Sequence, residues 1–159
     1  MSRSKIKSIA ELKKIVAGLK SRGKRIVFTN GCFDLLHYGH VKYLEEARRK
    51  GDLLIVGVNS DRSIKRIKGN KRPLVKQIDR ISTLAALESV DYAVIFNEET
   101  PLRLIEQLAP DVLVKGSDWD KSNIVGADSV IAKGGKVVTV RLLKGRSTTG
   151  LIKKIAETF

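Results

Sequence analysis

Cysteine occurs once in the 159 residues, at Cys32. An intrachain disulfide is therefore excluded, and with no metal-ligand partner at a useful spacing the lone thiol fits a reducing, cytoplasmic compartment. No apolar run approaches the roughly 20 residues that span a bilayer, and the basic N-terminus is not followed by a signal-like apolar core, so no membrane partner is expected. Aromatic residues make up only 5% of the chain. Arg-Gly runs, zinc-finger spacing and RNA-recognition patterns are missing too, which weakens a nucleic-acid reading. Gly-x-Gly-x-x-Gly and Gly-x-x-x-x-Gly-Lys-Ser/Thr do not occur, which disfavours dinucleotide oxidoreductases and P-loop kinases. No internal repeat or low-complexity segment interrupts the chain.

Positive charge, by contrast, is abundant. Lys and Arg number 31 against 17 Asp and Glu, a formal net charge of +14. Such an excess is a footprint of nucleic-acid binding. Here the cations are scattered through nearly every segment, so a solvated basic surface that attracts polyphosphates explains the count without a nucleic acid. A basic RNA-binding protein remains the rival from another class. Charged residues at 30% and hydrophobic ones at 42% are the balance of a folded chain, long enough for one domain with a substantial core.

Both histidines of the protein lie in Thr29-Asn-Gly-Cys-Phe-Asp-Leu-Leu-His-Tyr-Gly-His40, which follows the apolar run Ile26-Val27-Phe28. A buried strand ending in Asn30-Gly31, then a turn, then a helix leaves backbone N–H groups free to meet a phosphate. The turn from Thr29 to Asp34, including Cys32 and Phe33, is thus a candidate phosphate cradle. His37 and His40 are three apart and share one face of a helix starting near His37 or Tyr38, with Gly39 between them to let a bulky anion approach.

The rest of the chain alternates strands and helices. Ile9, Leu12, Ile15, Val16 and Leu19 predict an opening helix capped by Ser8 and stopped by Gly23. Residues 1–24 read as a helical leader packed on a core that runs from 25 to 159. Helical spacing from Tyr38 to Lys50, followed by the apolar run Leu53–Val58, makes a βαβ unit. Its right-handed crossover turns Asn59 and Asp61 toward the same crevice as the histidines. Residues 62–76 hold seven Lys and Arg with Gly69, Asn70 and Pro73 among them, and predict a mobile loop able to bring cations to a phosphate, Lys68 first and Lys65 second. A helix over Asp79–Val90, a strand over Tyr92–Phe96, a helix over Pro101–Leu108 and a strand over Val112–Val114 follow. Lys115, Gly116, Asp118 and Trp119 then sit at another carboxyl strand end, where Trp119 offers a stacking surface for a base or sugar. A weak helix over Ile124–Lys133, a strand over Lys136–Val140 and a terminal helix over Leu151–Glu157 complete the pattern. Ser147, Thr148 and Thr149 precede that last helix as a second phosphate seat. The expected architecture is one doubly wound α/β domain of about five parallel strands, binding a nucleoside triphosphate at its switch point.

Gly31-Cys-Phe-Asp-Leu-Leu-His37-Tyr-Gly-His40 resembles the His-x-Gly-His signature of the small, Rossmann-like nucleotidyltransferases. Val58-Asn-Ser-Asp61, Lys65-Arg-Ile-Lys-Gly69, Arg72-Pro-Leu74, Leu113-Val-Lys-Gly-Ser-Asp-Trp119 and Gly145-Arg-Ser-Thr-Thr-Gly-Leu-Ile-Lys-Lys-Ile155 follow in the order seen in the adenylyltransferase domain of ADP-heptose synthase. The resemblance covers roughly residues 25–156. It implies adenylyl transfer from ATP, with Mg²⁺, to D-glycero-β-D-manno-heptose 1-phosphate, giving pyrophosphate and ADP-heptose, a lipopolysaccharide precursor. His37 and His40 would act on the phosphates, and Arg80 inherits a phosphate-facing role. A separate sugar kinase would supply the acceptor, and a dimer or larger homo-oligomer is implied. Within the class, cytidylyl or adenylyl transfer to glycerol 3-phosphate, or to a flavin or pantetheine phosphate, stays open. Leu142 stands where the cytidylyltransferase relatives place an Arg, which argues against the cytidylyl branch.

Overall fold

The computed structural model describes residues 2–120, 123–143 and 145–158. Five parallel strands form one sheet in the order β3-β2-β1-β4-β5: β1 (Ile26–Gly31), β2 (Leu53–Asn59), β3 (Tyr92–Phe96), β4 (Val112–Gly116) and β5 (Lys136–Val140). The order reverses between β1 and β4. This places the switch-point crevice at the carboxyl ends of those two strands, where the motif turn emerges.

Alternation along the strands assigns each residue a side of the sheet. Val27, Leu54, Val56, Val58, Val112 and Val114 point to one layer, where α2 (Tyr38–Arg48) contributes Tyr43, Leu44 and Ala47 and α4 (Gln77–Ala85) contributes Ile81 and Leu84. Ile26, Phe28, Ile55, Val94 and Leu113 point to the other, against α1 (Ile9–Lys20), α5 (Leu102–Leu108) and α6 (Ala127–Ala132). Burial on both faces explains why the strands read as near-continuous apolar runs. The opening helix has its expected cap: Glu11 N donates to Ser8 Oγ at 3.2 Å and Ser8 N donates back to Glu11 Oε2 at 2.8 Å. Leu12 and Val16 join the layer of Ile26 and Phe28. Among the described residues no helix is long and apolar enough to cross a membrane.

The basic stretch departs from the loop expectation. Its first half is a helix, α3 (Asp61–Lys68), and only the residues after it form a connecting segment. Ser60 caps it, accepting from Ser63 N at 3.1 Å, and Ile64 is fully buried. Asp61 at the start and Lys65, Arg66 and Lys68 at the end complement the helix dipole, so the charges that suggest a loop instead stabilise a helix. Gly69, at φ +87°, ends it. Helix α4 stops at Ala85, short of Val90, and α6 begins only at Ala127, after Gly126 at φ +86°. The last helix, α7 (Thr148–Thr158), begins one turn earlier than expected because Ser147 Oγ accepts from Gly150 N at 3.0 Å.

Candidate active site

The crevice is built from the ends of β1, β2 and β4 and the starts of α2 and α7. Residue His37 is the extended residue before α2, and the His37 and His40 rings stack with centroids 3.9 Å apart. The Phe33 ring packs edge-on to His40 at 5.4 Å, held by a positive φ of 48° at Phe33. The backbone N–H of His37 donates to His40 Nδ1 at 3.4 Å. A neutral His40 that accepts at Nδ1 must carry its proton on Nε2, which makes the far nitrogen a donor. Burial, then the neighbouring His37 and Lys68 charges, push His40 down to about 4, so this ring is neutral near pH 7. The same burial and the Arg146 charge lower His37. His37 Nδ1 is itself buried with no hydrogen-bond partner among the described residues.

Cations surround the pair. Lys65 and Lys68 are both exposed, and of the two it is Lys68, at the end of α3, whose charge acts on His40 and Cys32. Lys115 leaves β4 with its Nζ donating to Asn30 Oδ1 and lying 5.7 Å from the centre of the Trp119 ring. Burial lowers its amine to about 8, against the opposing pull of Asp118. Trp119 is 49% exposed, as a stacking platform requires. A Cβ at Gly116 would lie 2.5 Å from Asp118 Oδ1, so a side chain there would displace the Asp118 carboxylate. On the facing side, Thr148 Oγ1 donates to Leu35 O at 3.3 Å and brings the start of α7, with exposed Ser147 and Thr149, beside the histidine turn.

Several expected ligand contacts are turned inward instead. Thr29 is fully buried, sharing a 2.7 Å hydrogen bond with Tyr43 Oη and donating to Val114 O at 3.0 Å. Burial pushes that Tyr43 hydroxyl up to about 12. The Asn59 side chain donates to Ser63 Oγ at 2.9 Å. Space beside Gly39 is not open to an anion, because a Cβ there would meet the His37 ring at 2.9 Å and Arg146 Cβ at 3.0 Å. The glycine is needed for close packing of α2 against the approach to α7. Arg80, for which the resemblance implies a phosphate-facing role, is 2% exposed, and its guanidinium donates to Cys32 O, Asn59 O, Val75 O and Asp61 Oδ1. Asp34, 7% exposed, accepts from Arg72 and from two backbone amides. Burial raises the Cys32 thiol, opposed by Lys68 and Arg80. Sequence patterning undervalued Arg72 and Arg146. Only the Arg72-Pro-Leu74 and Gly145-Arg-Ser motifs signalled them, because nothing in their spacing reveals what they face.

Among the described residues no group of three or more His, Cys, Asp or Glu could hold a metal ion. Asp34 and Asp61 are engaged by Arg72 and Arg80.

A neutral histidine pair, nearby cations and two helix starts around one crevice suit charge stabilisation on a polyphosphate rather than proton abstraction. The class this fold and site define is the α/β nucleotidyltransferase. A model of the cytidylyltransferase-like family matches residues 28–152, and the chain belongs to that family. It is 52% identical to the bifunctional protein HldE of Citrifermentans bemidjiense over 158 residues, 99% of this chain and 32% of that protein. Identity is 54% to HldE of Geobacter metallireducens, with the same coverage, and 56% over 154 residues to HldE of Geotalea uraniireducens. The chain thus spans about a third of the length of these curated relatives. The crystal structure of a lipopolysaccharide core biosynthesis protein from Thermoplasma volcanium superposes with a TM-score of 0.64 at 30% identity, covering 78% of this chain and all of that one. A pantoate-beta-alanine ligase from Francisella tularensis, solved with a β,γ-ATP ligand and β-alanine, shares the fold at TM-score 0.64 and 16% identity, over 96% of this chain and 77% of that one.

Proposed function

We propose that this enzyme transfers AMP from ATP to the phosphate of D-glycero-β-D-manno-heptose 1-phosphate, releasing pyrophosphate and forming ADP-heptose. The reading rests on the motif order described above, on the HldE relatives at 52–56% identity, and on the lipopolysaccharide context of the Thermoplasma volcanium structure. In this reaction an oxygen of the acceptor phosphate attacks the α-phosphorus in line. The bond from that phosphorus to the bridging oxygen breaks, and its electron pair leaves with pyrophosphate. An ionised phosphate is already a competent nucleophile, so no protein base is needed. Catalysis is then positioning and electrostatics.

The observation that carries the proposal is the stacked His37 and His40 pair at the head of α2, with His40 neutral and its donor nitrogen free of the backbone. A neutral imidazole can donate to a phosphate oxygen as charge builds without a proton having to be supplied. Lys68 and the start of α7 bring further positive potential to the leaving pyrophosphate, and Lys115 with Trp119 lies where the nucleoside or sugar would rest. Magnesium, which commonly accompanies phosphate oxygens, would enter on the triphosphate.

Pyrophosphate release measured with ATP and CTP against heptose 1-phosphate, glycerol 3-phosphate and pantetheine phosphate tests the assignment. Turnover is expected with ATP and the sugar 1-phosphate. Faster turnover with CTP, or with another acceptor, would refute it.

A further inference from the structure

We propose that Asp34 is a positioning residue that, with Arg72, latches the segment after α3 onto the motif turn and so fixes where the Lys68 charge sits. This goes beyond the proposed reaction, on which its kinetic arm rests. A carboxylate at the rim of a phosphate site has no electrostatic reason to face the ligand, since it would repel it. Here it is buried and fully used. Oδ2 accepts from Arg72 Nη1 at 2.6 Å, while Oδ1 accepts from Leu74 N at 2.8 Å and Val75 N at 2.9 Å. The Asp34 side chain is 6% exposed and that of Arg72 20%, so water does not easily replace these bonds.

Arg80 closes the same knot from behind. Its Nε donates to Val75 O at 2.9 Å, its Nη1 to Cys32 O, and its Nη2 to Asn59 O and Asp61 Oδ1, both at 2.8 Å. Two buried side chains therefore join three pieces of chain: the turn after β1, the segment 72–75, and the junction between β2 and α3. Helix α3 is held at its first residue by Arg80 and followed beyond its last by the latched segment. Lys68 is that last residue, and its charge reaches His40. Misplacing such a charge by about 1 Å can cost on the order of 10²-fold in rate.

The test pairs a measurement without substrate and one with it. In the ligand-free protein, amide hydrogen exchange at Leu74 and Val75 is expected to be slow, and D34N and R72A should each accelerate it about 10- to 100-fold, the range for losing a charge-assisted hydrogen bond. In single-turnover pyrophosphate release, both variants should slow the chemical step at least about 10-fold while the ATP dissociation constant moves by less than about 3-fold. The double variant should be no slower than D34N, because each residue acts through the other. Unprotected amides in the wild type, or exchange unchanged in both variants, overturns the latch. So does a D34N that loses ATP affinity as steeply as rate, since that marks direct nucleotide contact. R72A, altering the more exposed partner, keeps the test decisive where D34N fails to fold. A wild-type protein inactive with every nucleotide and acceptor counts against the proposed reaction alone, and the exchange result still decides the latch.

Discussion

Acidification should destabilise this protein through His40, and the sign follows from its surroundings. The ordinary imidazole value is about 6.5, whereas burial beside His37 and Lys68 holds the folded ring down to about 4. The folded state therefore favours the neutral ring. Above pH 6.5 both folded and unfolded rings are neutral, and His40 contributes its full stability. As pH falls below 6.5 the unfolded chain gains a proton that the folded chain refuses until about 4, and stability drains across that window. A full shift of this size, evaluated at pH 5, corresponds to about 2 kcal/mol; the side of the ring open to water screens it, leaving roughly 1–2 kcal/mol lost between pH 7 and 5. His37 titrates in the same direction, so the comparison needs a variant that removes only one ring. His40→Asn keeps an acceptor near Nδ1 for the His37 amide but cannot titrate. Urea unfolding of both proteins at pH 7, 6 and 5 is the assay. The wild type should lose more stability than the variant over that range, by the amount above. Parallel curves would refute the reasoning, because they would mean that the buried ring takes its proton as readily as a free one.

Lys68→Ala should slow single-turnover pyrophosphate release by about 10-fold or more with little change in ATP affinity, while Lys65→Ala should change neither, since only Lys68 acts on His40. Equal small effects at both positions would show the basic helix to be a solvated face. Lys115, lowered to about 8 by burial, should lose its charge across that pH and give kcat/KM an alkaline limb near 8 that Lys115→Arg abolishes; a profile flat to pH 9 in the wild type would remove its role. Ala109 ends α5 in the left-handed region at φ +45°, where a Cβ is strained, so Ala109→Gly should raise stability by about 1 kcal/mol in thermal unfolding despite the entropy of the added glycine.

The sheet was legible because parallel strands covered on both faces read as short apolar runs, and Tyr92–Phe96 and Lys136–Val140 fall where the pattern places them. The start of α2 was legible for a similar local reason, since the strand, turn and paired histidines are contiguous in the chain. Helix α3 was not, because its cap at Ser60 and its single buried apolar anchor at Ile64 were outvoted by seven cations whose preference for a helix C-terminus depends on a helix already being there.

Sequence by itself determined the class of protein: βα periodicity sets a parallel sheet, and the His-x-Gly-His turn after its first strand places the chemistry at one end of it. Only the tertiary structure decided which polar residues face the crevice and which hold it together. Arg80 and Asp34 look like site residues along the chain, yet their partners lie up to 48 residues away. A side chain's role depends on the direction it takes once distant segments meet, and three carbonyls and two amides converging on buried charges leave those side chains committed to the protein itself.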